Sequence, residues 1–196
     1  MFTLSLCAAG CGQAAITGSN LCFAHQGNPE LETIRIADYI TEHKIIADLN
    51  AQMIHFENID FSRCQFDGCN FKQARFSMCV FTGTKMRMSF FDFADFSSCD
   101  FSKSDLQFLS FAGSRIHNCT FEGSELLHLN FLGTSIFETT FDNSNLYNSR
   151  FINSTIMRSD FINCNLKRVN FHGSRREEIN FKSSNTAEAL FEMGDE

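Results

Sequence analysis

The chain has no tryptophan, only 2 Tyr and a single proline in its 196 residues. No apolar run in it approaches the roughly 18 residues of a membrane-spanning helix, so no membrane partner is expected. Basic residues are in short supply too: 16 Lys and Arg stand against 23 Asp and Glu, a formal charge of −7. That balance argues against direct nucleic-acid binding, which leaves a basic footprint. The length suits one domain, or one domain with a small appendage. Against these shortages stand 24 Phe. So lopsided an aromatic content points to one kind of position used again and again, hence to internal repeats.

The repeat is five residues long. From Phe56 to Phe181 every fifth residue gives 26 positions, of which 17 are Phe. The others are Met86, Leu106, Ile116, Leu126, Ile136, Leu146, Ile156, Leu166 and Arg176, and only the last is not apolar. A helix would let this stripe drift by about 140° per step. A flat strand would alternate it between faces, because five is odd. The pattern closes if the chain turns a corner every five residues, each side being a very short strand with its central residue, i, pointing inward. Position i−2 shares that parity and is small: Cys64, Cys69, Ala74, Cys79, Thr84, Ser89, Ala94 and onward. Position i+2 is often Gly or Asn, as at Gly68, Gly83, Gly113, Asn118 and Asn143, which suits corners with unusual backbone angles.

A second period sets the number of sides. From Phe101 the inward residues read Phe, Leu, Phe, Ile, and the quartet returns at 121 and 141. Four sides therefore make one coil of 20 residues, and 26 sides make about 6.5 coils. At about 4.8 Å per coil the stack is roughly 31 Å long. The run of A/S/C-x-F/L-x-x resembles the pentapeptide-repeat family over about residues 56–185. The resemblance implies an all-β solenoid, a right-handed quadrilateral β-helix.

Of the 9 Cys, six fall at i−2: Cys64, Cys69, Cys79, Cys99, Cys119 and Cys164. They read as small buried fillers. Cys7, Cys11 and Cys22 lie ahead of the repeat, with His25 three residues after the last, in the spacing Cys-x3-Cys-x10-Cys-x2-His. Soft thiolates with one imidazole at such spacings suit a closed, structural tetrahedral zinc site. The segment is similar to short zinc knuckles of small bacterial proteins. The first residues carry no Lys or Arg and are too short for a secretory signal, so a cytoplasmic location is expected.

The domain organisation expected is a zinc-knuckle-like segment at 1–28, a capping helix or helix pair at 29–53, the β-helix at 54–185, and a C-terminal cap with an acidic tail at 186–196. Asn28-Pro29-Glu30 reads as the start of a helix running to about 52. Asn185-Thr186-Ala187-Glu188 resembles a capping box, predicting a short helix over 186–193 that lays Leu190 across the last coil. Arg176 at an inward position suggests a loosened final coil.

No catalytic constellation is legible, and no enzyme activity is expected. His43, His55, His117, His128 and His172 are scattered, and the carboxylates fall at outward positions. Residues 89–142 carry a balance of −6 and residues 143–182 one of +4. Outward apolar residues cluster at i+1: Leu127, Leu132, Phe137, Tyr147, Ile152, Met157 and Ile162. A contiguous exposed patch usually marks an interface. The function expected is thus a protein-binding or scaffold module that pairs with a protein partner or with itself as a homodimer. The family resemblance implies an alternative, a DNA mimic that binds DNA gyrase or another topoisomerase.

Overall fold

The computed structural model describes residues 5–191. From Ile45 on, the chain winds as a four-sided parallel β-solenoid of about seven turns. Two opposite sides are built of short strands. One carries five strands, at Ile45–Ala47, Gln65–Asp67, Lys85–Arg87, Asp105–Gln107 and Glu125–Leu127. The other carries seven, from His55–Glu57 to Arg175–Asn180. All pairings are parallel and offset by one coil, as in Ile46 with Phe66 and Phe66 with Met86. The remaining two sides pair through single residues such as Asn70 with Phe90. Each then closes a tight turn, with Cys64 N donating to Phe61 O at 3.0 Å and Ala74 N to Phe71 O at 3.1 Å.

The inward register is as the spacing requires. Every inward residue from Phe56 to Phe171 is buried. The phenylalanines form columns whose step equals the coil rise. Phe81, Phe101, Phe121 and Phe141 stack at 4.5, 4.8 and 5.0 Å, tilted by at most 4°. A second column runs from Phe71 through Phe171 to Phe191. Rings of adjacent columns meet edge to face, as Phe141 and Phe151 do at 90°.

The small i−2 residues do more than leave room for rings. Their hydroxyls bond backbone groups of the neighbouring coils. Ser124 Oγ donates to Phe101 O (2.8 Å) and accepts from Ser104 N (3.1 Å). Cysteine serves more weakly, with Cys99 N donating to Cys119 Sγ at 3.4 Å. All nine cysteines are free thiols. Burial pushes Cys69 and Cys164 up to about 11, so both remain neutral fillers at ordinary pH.

The solenoid starts earlier than Phe56. Ile46 and Ala51 are inward, fully buried grid positions. The helix α1 accordingly spans Pro29–His43 and stops short of the expected residue 52. Lys44 ends it in the left-handed region (φ 60°), donating its N–H to Ile40 O. The start is as expected: Asn28 Oδ1 accepts from Leu31 N at 3.1 Å, with Pro29 in the first turn. Ile36, Ala37 and Ile40 bury one face against Ile46, Ile54 and Phe56, which closes the first coil. Leu31 and Ile34 stay exposed.

The other end also differs from expectation. Only a 3-10 turn forms, at Thr186–Glu188, and it has no side-chain cap. Asn185 is diverted into the ladder, where its Oδ1 accepts from Leu166 N at 2.6 Å. The chain stays on the five-residue grid instead: Phe191 stacks on Phe171 at 5.1 Å, and Leu190 is left exposed. The acidic tail beyond Phe191 lies outside the described residues. Arg176 does not loosen the final coil for want of partners. Its Nη1 donates to Phe171 O (3.1 Å) and Ser174 Oγ (2.6 Å), and its guanidinium covers the Phe191 ring.

Candidate metal centre and outer surface

Three local devices bring Cys7, Cys11, Cys22 and His25 together. Cys7 N donates to Gln13 O (2.9 Å), and Gly10 N turns back to Cys7 O (3.0 Å). Cys22 precedes a 3-10 turn, Phe23–His25, closed by His25 N to Cys22 O at 3.0 Å. Ala8 N donates to Asn20 O (2.8 Å), which ties the first turn to the second. The four ligand atoms lie within 4.8 Å of one another. Cys11 and Cys22 Sγ are 3.7 Å apart; His25 Nδ1 is 3.6 Å from Cys7 Sγ and 3.2 Å from Cys22 Sγ. A metal–sulfur bond of about 2.3 Å gives a tetrahedral edge of about 3.8 Å, so the spacing fits one tetrahedral ion. Backbone N–H groups, that of Cys22 foremost, push the Cys7 thiol down to about 6, toward the thiolate a metal requires. Desolvation pushes Cys22 the other way. The donor set can therefore hold a metal through three sulfurs and Nδ1 of one imidazole.

The knuckle is fastened to the solenoid through Asn50, a buried residue of the first coil. Its Nδ2 donates to Ala15 O (2.7 Å), its N to Thr17 Oγ1 (2.7 Å), and its O accepts from Thr17 N (3.0 Å). Asn70, one coil on, donates to its Oδ1 at 3.0 Å. Arg35 of α1 clamps the same loop by donating to Thr17 O. Gly18 permits that approach, since a Cβ there would stand 2.7 Å from Arg35 Nη1.

The seven outward apolar residues lie on the coils where the spacing places them. Leu132 is exposed; Leu127, Phe137, Tyr147, Ile152, Met157 and Ile162 are half-buried. Their neighbours supply the cover. Phe137 is stacked by His117 at 5.3 Å and overlain by the Arg158 guanidinium at 4.2 Å, while Arg168 stands 5.9 Å over Tyr147.

The family model for the pentapeptide repeat region matches residues 54–131, and that for pentapeptide repeats, in 8 copies, matches residues 134–175. The chain belongs to the pentapeptide-repeat family. No curated protein matches the sequence. Several solved pentapeptide-repeat structures are similar. HetL, involved in heterocyst differentiation regulation in the cyanobacterium Nostoc, is 12% identical over 85% of this chain and 98% of its own, with a TM-score of 0.41. Rfr23 of the cyanobacterium Cyanothece is 12% identical over 77% and 97%, at 0.39. QnrB1, a plasmid-mediated fluoroquinolone resistance protein, is 16% identical over 74% and 79%, at 0.38.

On this pentapeptide-repeat rod much of the acidic middle is neutralised. Asp92 pairs with Lys72 (3.1 Å), Asp95 with Arg115 (2.5 Å), Asp105 with Arg87 (2.6 Å) and Glu138 with Arg158 (3.3 Å). Large apolar side chains are also exposed at positions off the five-residue grid. Met78, Met88, Phe93 and Phe108 occupy corners, at φ 48–58° and 50–65% exposure. Bulky residues avoid that region in general; elsewhere in the chain the same corner is taken by Gly or Asn and also by polar residues such as Arg63, Gln73 and Lys103. Phe93 lies flat against Gly113, where a Cβ would meet the ring at 2.6 Å. The signal was present in the sequence as Phe two residues off the grid, hidden by the abundance of Phe on it.

Proposed function

We propose that this chain is a non-enzymatic protein-binding or scaffold module. The observation that carries the reading is the set of large apolar side chains kept at the surface although the core is already closed. Burying one such side chain is worth about 1.5–3 kcal/mol, and Phe93, Phe108 and Leu132 each leave a large share of theirs in water. Of the outward set, Leu132 and Ile152 share one side of adjoining coils and Phe137 and Met157 the next side, which makes a strip around that edge; Leu127 and Tyr147 lie on the side opposite Phe137, and Ile162 on the fourth. A self-complementary strip is all that a closed homodimer requires, so self-association is the favoured form. The Cys7, Cys11, Cys22 and His25 centre holds structural zinc in this reading, because four protein ligands close the shell. No described helix is long and apolar enough to cross a membrane, and the free cysteines suit a reducing, cytoplasmic setting.

The second reading, a DNA mimic on gyrase or another topoisomerase, draws on the acidic residues of coils 89–142. It is the weaker one, since mimicry needs a continuous acidic surface and four of those carboxylates are already paired. Partner capture from a native cytoplasmic extract by wild type and by Phe137→Glu/Ile152→Glu, alongside a gyrase supercoiling assay, separates the two. The module reading requires partners, a second copy included, that the double variant loses. Inhibition of supercoiling by both proteins alike supports mimicry instead.

A further inference from the structure

One edge of the solenoid carries a groove that crosses the coils. It consists of two adjoining hollows of about 430 and 500 Å³ that share Asn148 and Arg150. One column of its lining is bridged coil to coil, from Ser110 through Asn130, Arg150 and Asn170 to Leu190. Four coil steps make it about 19 Å long, the reach of an extended peptide of about six residues. Its two ends are apolar and open, Phe108 at 55% and Leu190 at 57% exposure. Phe108 is held in place by His128, stacked on it at 4.8 Å and 7°. His128 is fixed in turn by Asn148 Nδ2 at 2.8 Å.

Between these ends stand two exposed guanidiniums, Arg150 and Arg168. Most other cations on the rod have a carboxylate within 4 Å, as Lys72, Arg87, Arg115, Arg158 and Lys167 do. Neither Arg150 nor Arg168 has one among the described residues. The groove's own carboxylate, Glu188, does not serve them. It accepts from Asn185 Nδ2 (3.0 Å) and pairs with Lys167 Nζ (3.6 Å), contacts that hold it below the usual carboxylate range.

We propose that this groove binds an extended acidic segment of a partner protein. Carboxylates of the segment meet Arg150 and Arg168 as charge-assisted pairs, the asparagine side chains bond its backbone, and an aromatic or aliphatic side chain covers Phe108. A nucleic acid would meet the same cations but gains little from the apolar ends, Phe108 and Leu190. The proposal rests on the reading of the rod as a protein-binding module; because Ile152 lines the groove and Arg168 covers Tyr147, Phe108→Ser, in the hollow that Ile152 does not line, is the arm whose failure is distinguishable from failure of that reading.

The test uses the full chain and an array of synthetic hexapeptides in which Asp or Glu alternates with Phe, Leu or Tyr. A matched array carries Asn or Gln in place of the acids, and labelled oligothymidylate is the nucleic-acid probe. Acidic peptides should bind wild type and lose about tenfold or more in affinity on Arg150→Glu/Arg168→Glu, with a matching loss for the Asn/Gln array. Phe108→Ser should weaken the same peptides while the melting curve stays intact. All three substituted side chains are exposed, and Arg150→Gln/Arg168→Gln provides a gentler check. The proposal is overturned if no acidic peptide binds, if charge reversal leaves binding unchanged, if the Asn/Gln peptides bind as well, or if oligothymidylate is the preferred ligand.

Discussion

Replacing Phe121 by Ala removes one rung from the middle of the best-ordered column. Phe121 is fully buried, with Phe101 stacked above it at 4.8 Å and Phe141 below at 5.0 Å, both nearly parallel. Truncation of a buried Phe costs about 3–5 kcal/mol through lost transfer energy and the cavity left behind. Two aromatic pairs go with it, each worth about 0.5–1.5 kcal/mol beyond area; these overlap with the first term and place the loss toward its upper end. The cavity cannot collapse easily, because the backbone at Phe101 and at Phe121 itself is pinned by Ser124 Oγ and Ser144 Oγ of the following coils. Phe121→Leu should cost far less, since leucine already occupies the inward position at Leu106, Leu126 and Leu146. Urea and thermal unfolding followed by circular dichroism would read both variants. For a chain of this size the Ala variant should melt on the order of 10 °C lower. In a solenoid the loss is local, so amide exchange should rise in the coils flanking Phe121 before it rises at the ends. An unchanged melting temperature would refute the stacked-column account of the core.

Metal analysis of the purified chain should return about one zinc per molecule; a Cys22→Ser variant that retains full zinc content would sink the ligand assignment. Asn50→Ala should cost about 1–3 kcal/mol by stranding Ala15 O and the Asn70 amide, and limited proteolysis should then release the N-terminal segment first; equal protease resistance would deny Asn50 its fastening role. For Asp100, burial raises the carboxyl, but hydrogen bonds from Ser102 and Thr82 outweigh it and hold the group below its usual range. A depressed folded value means the stabilisation is present above about pH 4 and lost as pH falls through that folded value. Urea midpoints measured from about pH 6 downward should therefore drop less steeply in Asp100→Asn than in wild type.

The solenoid was legible because its rule is geometric: a five-residue spacing admits few other backbones, and the Leu and Ile returning every fourth side counted the sides. Its first coil was hidden by composition. Ile46 and Ala51 lack the phenyl signature, and Ile45, Ile46 and Leu49 are spaced as a helix would space them, so α1 was read through to 52. Only the left-handed Lys44 separates helix from coil, and lysine gives no sign of that conformation. At the far end, Asn185 and Glu188 have capping-box chemistry, but the Asn185 side chain is taken by Leu166 N, a partner in the preceding coil that local sequence does not reveal. The grouping of Cys7, Cys11, Cys22 and His25 was readable from spacing alone, whereas its attachment through Asn50 depends on contacts 33 and 35 residues apart. The outward positions are set by the spacing, but the cover that leaves Phe137 and Tyr147 half-buried, from His117, Arg158 and Arg168, comes from neighbouring coils and is not visible in one dimension.

The most direct measurement is the solution mass of the full chain by sedimentation, over a wide concentration range, for wild type and for Phe137→Glu/Ile152→Glu. Both substituted positions lie outside the closed core, so both proteins should share one melting curve. The account predicts that wild type approaches twice the 22.3 kDa of one chain as concentration rises, and that the double variant remains at 22.3 kDa. A wild type that stays monomeric throughout, or a double variant that dimerises equally well, would contradict it.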